Sequence, residues 1–286
     1  MNVVLIYNPK SGGRKTLQAL RPLFKRHGVK IEYSFTIQQL DSKKLASLIA
    51  RGVTVAVVGG DGSLNSVARH LVNTKSTLLP LPGGTFNHFV RDLGMAPDIE
   101  SVIENLDAGK RKRIDVAYVN DELFLNNSNL GLYPFSLIER KTIRKVAGKW
   151  IAAILSAVDQ LTAFRRHALI VDGEEFRSPF VFVGNNVYDI QSALVPQRTS
   201  LARGLLTVMI ATSQTRRQLL SAVMAVLRGD AAKRKDFTVS NPKTMTIYSR
   251  RSSIPVSFDG EVRRLEPPLN YRISPRSLNV LVVKAK

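Results

Sequence analysis

The sequence predicts an α/β protein: an N-terminal doubly wound parallel sheet domain followed by a β-rich, sandwich-like domain. Three observations predict it. The first third of the chain alternates short apolar runs with segments of helical spacing. After Arg113 the rhythm changes to strand-like runs that meet at turn dipeptides. The 286 residues, 44% of them hydrophobic, suffice for two cores.

Each element has its own signal. Asn2–Tyr7 reads as a buried strand, broken by Gly12-Gly13. Arg14–His27 has helical spacing, with Leu17, Leu20, Leu23 and Phe24 on one face. Lys30–Thr36 alternates as a strand, and Ser42 is placed to cap a helix over Lys43–Arg51. Thr54–Val58 is a strand, and Ser63–Val72 a helix that turns Leu64, Val67, Ala68 and Leu71 inward. Thr77–Leu81 is a strand, Phe86–Leu93 a helix closed by Gly94, and Ile99–Leu106 a further helix. The basic cluster Lys110–Arg113 is the nearest thing to a linker, so the domains are expected at 1–118 and 119–286.

In the second half, Ile114–Val119 and Leu123–Asn126 flank the turn Asn120-Asp121. Ala168–Val171 and Phe180–Val183 read as a hairpin about Asp172-Gly173. Leu205–Ala211, Thr244–Tyr248, Ile254–Phe258 and Leu278–Val283 complete a mostly antiparallel region. Helical stretches over about Ser136–Phe164 and Gln214–Leu227 interrupt it.

Composition narrows the partners. The formal net charge is +20, which implies an anionic partner: a phosphorylated ligand, nucleic acid or an anionic bilayer. The absence of cysteine excludes disulfides and thiolate metal sites. No run approaches the length of a transmembrane helix, and the N-terminus lacks the features of a signal peptide. A cytoplasmic protein follows as the expectation, and a homodimer is compatible with the sequence. The histidines His27, His70, His88 and His167 have no ligand spacing. Nucleic acid is not expected as the partner, since no stacking platform or recognised module is visible.

Two glycine-rich strings carry the chemistry. Val57–Asn65 contains Gly59, Gly60, Asp61, Gly62, Ser63 and Asn65, and Leu81–Phe89 contains Gly83, Gly84, Thr85 and Asn87. Each follows a strand-like run and enters a helix-like one. Such turns expose backbone N–H groups and aim a helix N-terminus outward, which suits phosphate. Asp61 at the tip is placed to hold Mg²⁺, which takes a few carboxylates plus phosphate oxygens. Taken singly, each string also reads as a tight turn with ordinary capping by Asp61, Thr85 or Asn87. Asn8-Pro9-Lys10-Ser11-Gly12 follows the first strand and offers a third contact to phosphate or ribose. It lacks the glycine spacing of a Walker loop, and no G-x-G-x-x-G is present.

Together these strings resemble the catalytic domain of the diacylglycerol kinase family, which includes bacterial soluble diacylglycerol kinases, sphingosine kinases and ceramide kinases. The resemblance continues through Arg113-Ile114-Asp115 and Phe258-Asp259-Gly260-Glu261. It implies a two-domain kinase with ATP on the α/β domain and a lipid entering the cleft. By position, Asn8–Gly12, Gly60–Asn65 and Thr85 resemble the nucleotide-binding residues, with Thr36 a looser match. Asp61 and Asp115 resemble the acidic residues around catalytic Mg²⁺, and Asp259 and Glu261 the carboxylates that activate the acceptor hydroxyl. The chain departs from the pattern at four positions. His88 stands where the family usually has Asp, Ser63 and Ser66 where it often has Thr and Glu, and Arg203 in the bacterial enzymes' structural Mg²⁺ loop. Arginine does not ligate Mg²⁺.

Two Asp-Gly-Glu sequences compete for the acceptor role. Asp172-Gly173-Glu174 lies between alternating runs and reads as a type I′ turn. Asp259-Gly260-Glu261 is not followed at once by a clean return strand, which favours a base at a strand end. The residues Arg140, Lys141, Arg144, Lys145 and Lys149 beside Trp150 and an apolar stripe suit peripheral docking on an anionic membrane, or equally a core helix with a solvated basic face. The expected activity is ATP-dependent phosphorylation of a diacylglycerol-like lipid. An NAD kinase, or a non-catalytic lipid- or nucleotide-binding relative, is the alternative.

Overall fold

The computed structural model describes residues 1–11, 16–85, 87–131, 167–189, 197–198, 200–213, 215, 217–218, 221 and 237–284. The chain divides into two compact units. The first comprises Met1–Val116, Leu201–Gly204 and Ser274–Lys286, and the second Ala117–Ser200 and Leu205–Ile273. The first segment ends two residues before the boundary expected from sequence. The two later returns to the first unit were not foreseen.

The first unit is built on parallel strands. β1 (Asn2–Tyr7) pairs in parallel with β2 (Lys30–Thr36) and with β3 (Thr54–Gly59). β3 pairs in parallel with β4 (Thr77–Pro82), which takes Asn279 and Val280 of the last strand, β18 (Leu269–Val282), as its next neighbour. β3 is buried at every position, as a central strand covered on both sides must be, and β2 at the edge is not. The helices α1 (Leu17–Arg26), α2 (Ser42–Ile49), α3 (Asp61–Leu71), α4 (His88–Asp92) and α5 (Ile99–Glu104) connect the strands. α1 packs with α5, and α2 with α3. The parallel, helix-connected fold matches the sequence reading. In detail, Asp41 rather than Ser42 caps α2, its carboxylate accepting N–H groups of Lys43 and Lys44 at 2.9 and 3.0 Å.

The second unit is an antiparallel β sandwich. One sheet runs β14 (Phe237–Ser240), β13 (Leu206–Ala211), β10 (Phe180–Asn185), β7 (Asn127–Gly131), β16 (Ile254–Phe258), β17 (Glu261–Leu265), each pair antiparallel. The facing layer contains the start of β18, then β15 (Thr244–Tyr248), β8 (His167–Val171) and β9 (Glu174–Ser178), again antiparallel. β5 (Lys110–Val119) forms a hairpin with β6 (Glu122–Phe124). A two-residue ladder joins β11 (Tyr188–Asp189) to β12 (Gln197–Arg198). Both layers feed one core, in which Phe124, Leu169, Ile247 and Tyr271 meet Leu130, Val181, Val208 and Phe258.

Three sequence expectations are corrected here. The cluster Lys110–Arg113 is not a linker but the start of β5, because ladder pairing overrides its polar composition. The strand after Asp172-Gly173 is β9, and Phe180–Asn185 belongs to the other sheet. Glu174–Ser178 is mostly exposed and polar, so its apolar signal is weak. The final strand was placed wholly in the antiparallel region, whereas its later part pairs in parallel with β4. The expected helices over Ser136–Phe164, with the basic segment Arg140–Ile154, lie outside the described residues, as does most of Gln214–Leu227.

One polar pair sits inside the sandwich core. The Tyr271 hydroxyl lies 3.1 Å from the Ser128 hydroxyl, both fully buried, and burial pushes the Tyr271 hydroxyl far above its usual range. Tyr271→Phe orphans Ser128 and is expected to cost about 1–2 kcal/mol. Urea unfolding checks this, and the double variant with Ser128→Ala should recover much of the loss.

Candidate functional site

The two glycine strings form one structure in the first unit. Each is the turn between a strand and a helix: β3 to α3, and β4 to α4. They touch backbone to backbone. Gly83 N–H donates to the Gly59 carbonyl at 3.0 Å. A Cβ on Gly84 would lie 2.5 Å from the Gly60 Cα, and one on Gly83 would lie 2.8 Å from the Gly59 nitrogen. The glycines at 83 and 84 are therefore demanded by close approach of the two turns. None of Gly59, Gly60, Gly83 and Gly84 has a positive φ.

Asp61 ties the turns together. It is the first residue of α3, following Gly60 at the N-cap. Its carboxylate reaches across to accept N–H groups of His88 at 3.2 Å and Phe89 at 2.9 Å, capping α4. The side chain is half-buried at the shared rim of the two turns. Gly60 has no side chain to take the first N–H groups of α3, so that helix start and its dipole suit an anion. Asn87 adopts a left-handed conformation, with φ 50°. Its amide closes a ring with Gly84, accepting from Gly84 N–H at 2.9 Å and donating to the Gly84 carbonyl at 3.0 Å. Thr85 is exposed between them.

The third string joins the same rim. Asn8 N–H donates to the Val58 carbonyl at 2.9 Å, and its side-chain amide donates to the Ser63 hydroxyl at 3.2 Å. The Asn8 carboxamide oxygen accepts from Lys10 N–H at 3.0 Å and from the Gln38 amide at 3.2 Å. Ser11 folds back onto the Asn8 carbonyl at 2.7 Å. Pro9 lies between these contacts, and Gly12 is outside the described residues. Thr36 caps the short 3₁₀ turn Ile37–Gln39, which presents Gln38 to Asn8. Ser63 and Asn65 are buried on the first turns of α3. The structure thus gathers Asn8, Ser63, Gly59–Gly62, Gly84 and Asn87 about one rim, and adds Gln38, which no sequence signal marked.

Asp115 lies deeper in the first unit. It is fully buried, and its two oxygens accept the N–H groups of Gly204 and Arg276 at 2.7 Å each. Its own N–H donates to the Leu201 carbonyl at 2.8 Å. This carboxylate fastens the two returning segments to the first unit. Among the described residues no three His, Cys, Asp or Glu side chains gather as a metal cage.

In the second unit, Asp259-Gly260 is a two-residue hairpin loop with φ of 48° and 88°, and β17 returns at once opposite β16. The expectation that no clean strand follows is corrected. Asp172-Gly173 has the same form, with φ of 49° and 92°. The two aspartates differ in what they hold. Asp172 accepts Thr246 N–H at 2.8 Å. Asp259 accepts three consecutive backbone N–H groups: Leu125 at 2.7 Å, Asn126 at 2.8 Å and Asn127 at 3.3 Å. Glu261 is exposed and lies 3.5 Å from the Arg263 guanidinium, which also meets Glu122 at 2.6 Å. Behind Asp259 stands a buried polar cluster of Asn126, Asn185, Asn186 and Arg198. Asparagines inside strand-like runs, as in Asn126–Asn129 and Gly184–Asn186, were the available signal for it, since strands disfavour Asn.

Asp61→Asn is expected to retain the fold, because one oxygen still caps α4, while any activity that needs a full carboxylate at this rim falls. Asp61→Ala should additionally cost about 0.5–2 kcal/mol, the usual value of a lost cap. Thermal melts beside initial rates separate the two effects.

Residues 2–119 match the diacylglycerol kinase catalytic domain, and residues 136–282 the YegS C-terminal NAD kinase beta sandwich-like domain. A probable lipid kinase YegS of Escherichia fergusonii is 26% identical over 239 residues, 79% of each chain. A YegS-like probable lipid kinase of Cronobacter sakazakii is 29% identical over 179 residues, 60% of each chain. A diacylglycerol kinase crystal structure from Bacillus anthracis shares the fold, with a TM-score of 0.69 at 21% identity over 98% of this chain and 96% of that one. A second crystal structure from that organism, a putative diacylglycerol kinase, gives a TM-score of 0.71 over 100% and 98% at 21% identity. With the glycine turns in the first unit and the sandwich in the second, the chain belongs to the diacylglycerol kinase catalytic domain family of lipid kinases, in its YegS-like form.

Proposed function

We propose that the protein transfers the γ-phosphoryl group of ATP to a hydroxyl of a diacylglycerol-like lipid. The lipid oxygen forms the new bond to phosphorus, the bond from that phosphorus to the β,γ-bridging oxygen breaks, and ADP leaves. The observation that carries the reading is the pair of glycine turns held face to face by Asp61. In such a transfer the protein mainly positions groups and neutralises charge.

Asn8–Gly12, Thr36, Gly59–Ser63, Asn65, Gly84, Thr85 and Asn87 are assigned to the nucleotide. The start of α3 favours the phosphates through its N–H groups and dipole. Asp61 suits Mg²⁺, a cation that takes one or two carboxylates together with phosphate oxygens and water. The ion would neutralise charge that develops on the transferred group. Asp259, held in place by its three N–H donors, orients the lipid hydroxyl, and Glu261 or Asp259 takes its proton. The net charge of +20 supports peripheral association with an anionic cytoplasmic membrane surface, where the acceptor resides.

The test of the acceptor is labelled phosphate transfer from ATP to diacylglycerol, ceramide, sphingosine and phosphatidylglycerol in mixed micelles. The reading expects diacylglycerol to be labelled fastest. Preference for a sphingoid base or ceramide would overturn the acceptor while keeping the reaction class. No described helix is long and apolar enough to cross a membrane.

A further inference from the structure

The stretch Leu125–Asn127 has its amide hydrogens and its carbonyl oxygens claimed by different groups. All three N–H groups end on the Asp259 carboxylate. The Leu125 carbonyl accepts from the Arg198 guanidinium at 2.6 Å and from the Asn185 amide at 2.9 Å. The Asn126 carbonyl accepts from the Tyr188 hydroxyl and from Asn185 N–H, each at 2.9 Å. Arg198 also donates to the Asn126 side-chain oxygen at 2.7 Å and lies over the Tyr188 ring, 5.5 Å from its centroid.

One peptide group is therefore strung between opposite charges. Its oxygen, on Leu125, takes a guanidinium hydrogen bond, and its N–H, on Asn126, donates to the Asp259 carboxylate at 2.8 Å. Charge-assisted bonds at both ends of a peptide reinforce one another, more so where water is excluded. Arg198 is 6% exposed and Leu125 fully buried. A neutral or shorter side chain at 198 would leave the Leu125 carbonyl and the Asn126 side-chain oxygen without this charged donor and free the segment to shift.

We propose that Arg198 is a positioning residue for Asp259, acting through the peptide between Leu125 and Asn126. Its effect on turnover rests on the lipid kinase reading above. The clamp itself does not. Arg198 holds the carbonyl side of the segment, the segment holds the Asp259 carboxylate, and the carboxylate is thereby set at one place for the acceptor hydroxyl.

The experiment uses the full chain with Arg198→Lys and Arg198→Gln. Without any substrate, amide hydrogen exchange at Leu125–Asn127 is expected to speed up by about tenfold or more in Arg198→Gln, the scale of one lost charge-assisted bond. With ATP and lipid, kcat should fall about 10²-fold, the usual result of small misplacement, while KM for ATP stays within twofold of the parent. Arg198→Lys should recover part of kcat. If Arg198→Gln does not fold, Asn126→Ala, which removes the side-chain oxygen that accepts from Nη2, serves instead with a smaller rise in exchange. Unchanged exchange in a folded variant overturns the clamp. Faster exchange with unchanged kcat overturns the positioning role. A parent protein that binds ATP yet phosphorylates no lipid overturns the lipid kinase reading, and the exchange result still decides the clamp.

Discussion

Asp259→Ala is expected to lower stability and turnover together, and more than any change at Asp172. Three N–H groups end on the Asp259 carboxylate, and two of them belong to the buried residues Leu125 and Asn126. Water does not readily replace the lost acceptor there. Each orphaned donor costs about 1–3 kcal/mol. For a chain of this size, each kcal/mol lowers Tm by about 2–4 °C. Asp259→Asn retains one oxygen but turns an NH₂ group toward the remaining donors, so it too destabilises. Its turnover should fall about 10²-fold, the usual scale for a lost base. Asp172 is the internal control. It occupies the same hairpin position and accepts Thr246 N–H. Asn-Gly also makes a type I′ turn, so Asp172→Asn should change stability by less than about 0.5 kcal/mol and leave turnover unaltered. Melting curves and initial rates for both variants decide the matter. Equal loss of turnover at the two turns would remove Asp259 from the chemistry.

Gly84→Ala carries the second large effect. The new methyl would meet the Gly60 Cα at 2.5 Å, the Asn87 oxygen at 3.0 Å and the Gly60 nitrogen at 3.3 Å. Two of these are backbone atoms, which do not swing away. Overpacking of this kind costs about 1–3 kcal/mol, and the strain falls on the two turns assigned to phosphate. ATP binding should be lost at concentrations that saturate the parent. Gly60→Ala is the informative partner, because its methyl would meet only the Gly84 Cα, at an ordinary 3.4 Å. That variant should fold with near-parental Tm. If it also loses ATP affinity, Gly60 serves the ligand, whereas parental affinity would confine its role to the turn. Isothermal titration with ATP and Mg²⁺ separates these results.

Much of the first unit was legible because local pattern and tertiary environment agree there. The bounds of β1 and β2 coincide with the apolar run Asn2–Tyr7 and the alternation in Lys30–Thr36. Central strands such as β3 announce themselves as unbroken apolar runs. The glycine strings were legible as turns, yet their mutual contact was not. Nothing in either string states that Gly84 rests on Gly60 or that Asp61 reaches His88 and Phe89. Sequence spacing encodes what one turn does, and tertiary packing decides which turns share a rim.

The second unit was harder to read for a physical reason. Lys110–Arg113 and Glu174–Ser178 form strands through ladder pairing despite polar composition. Asp115 and Asp259 are acidic residues whose carboxylates accept distant backbone N–H groups, at Gly204 and Arg276 in one case and at Leu125–Asn127 in the other. A sequence does not show which distant backbone N–H groups a carboxylate holds. The same limit explains why Arg198 went unnoticed: a buried arginine looks like any other basic residue until its acceptors are seen.

The most direct test of the account is a single competition. The protein is incubated with γ-labelled ATP, Mg²⁺, diacylglycerol in mixed micelles and an equal concentration of NAD, and the products are separated by phase. The account predicts label in the organic phase as a phosphorylated lipid, lost on chelation of Mg²⁺ and in Asp61→Asn. Label confined to the aqueous phase as phosphorylated NAD, or no transfer by a protein that binds ATP, would contradict it.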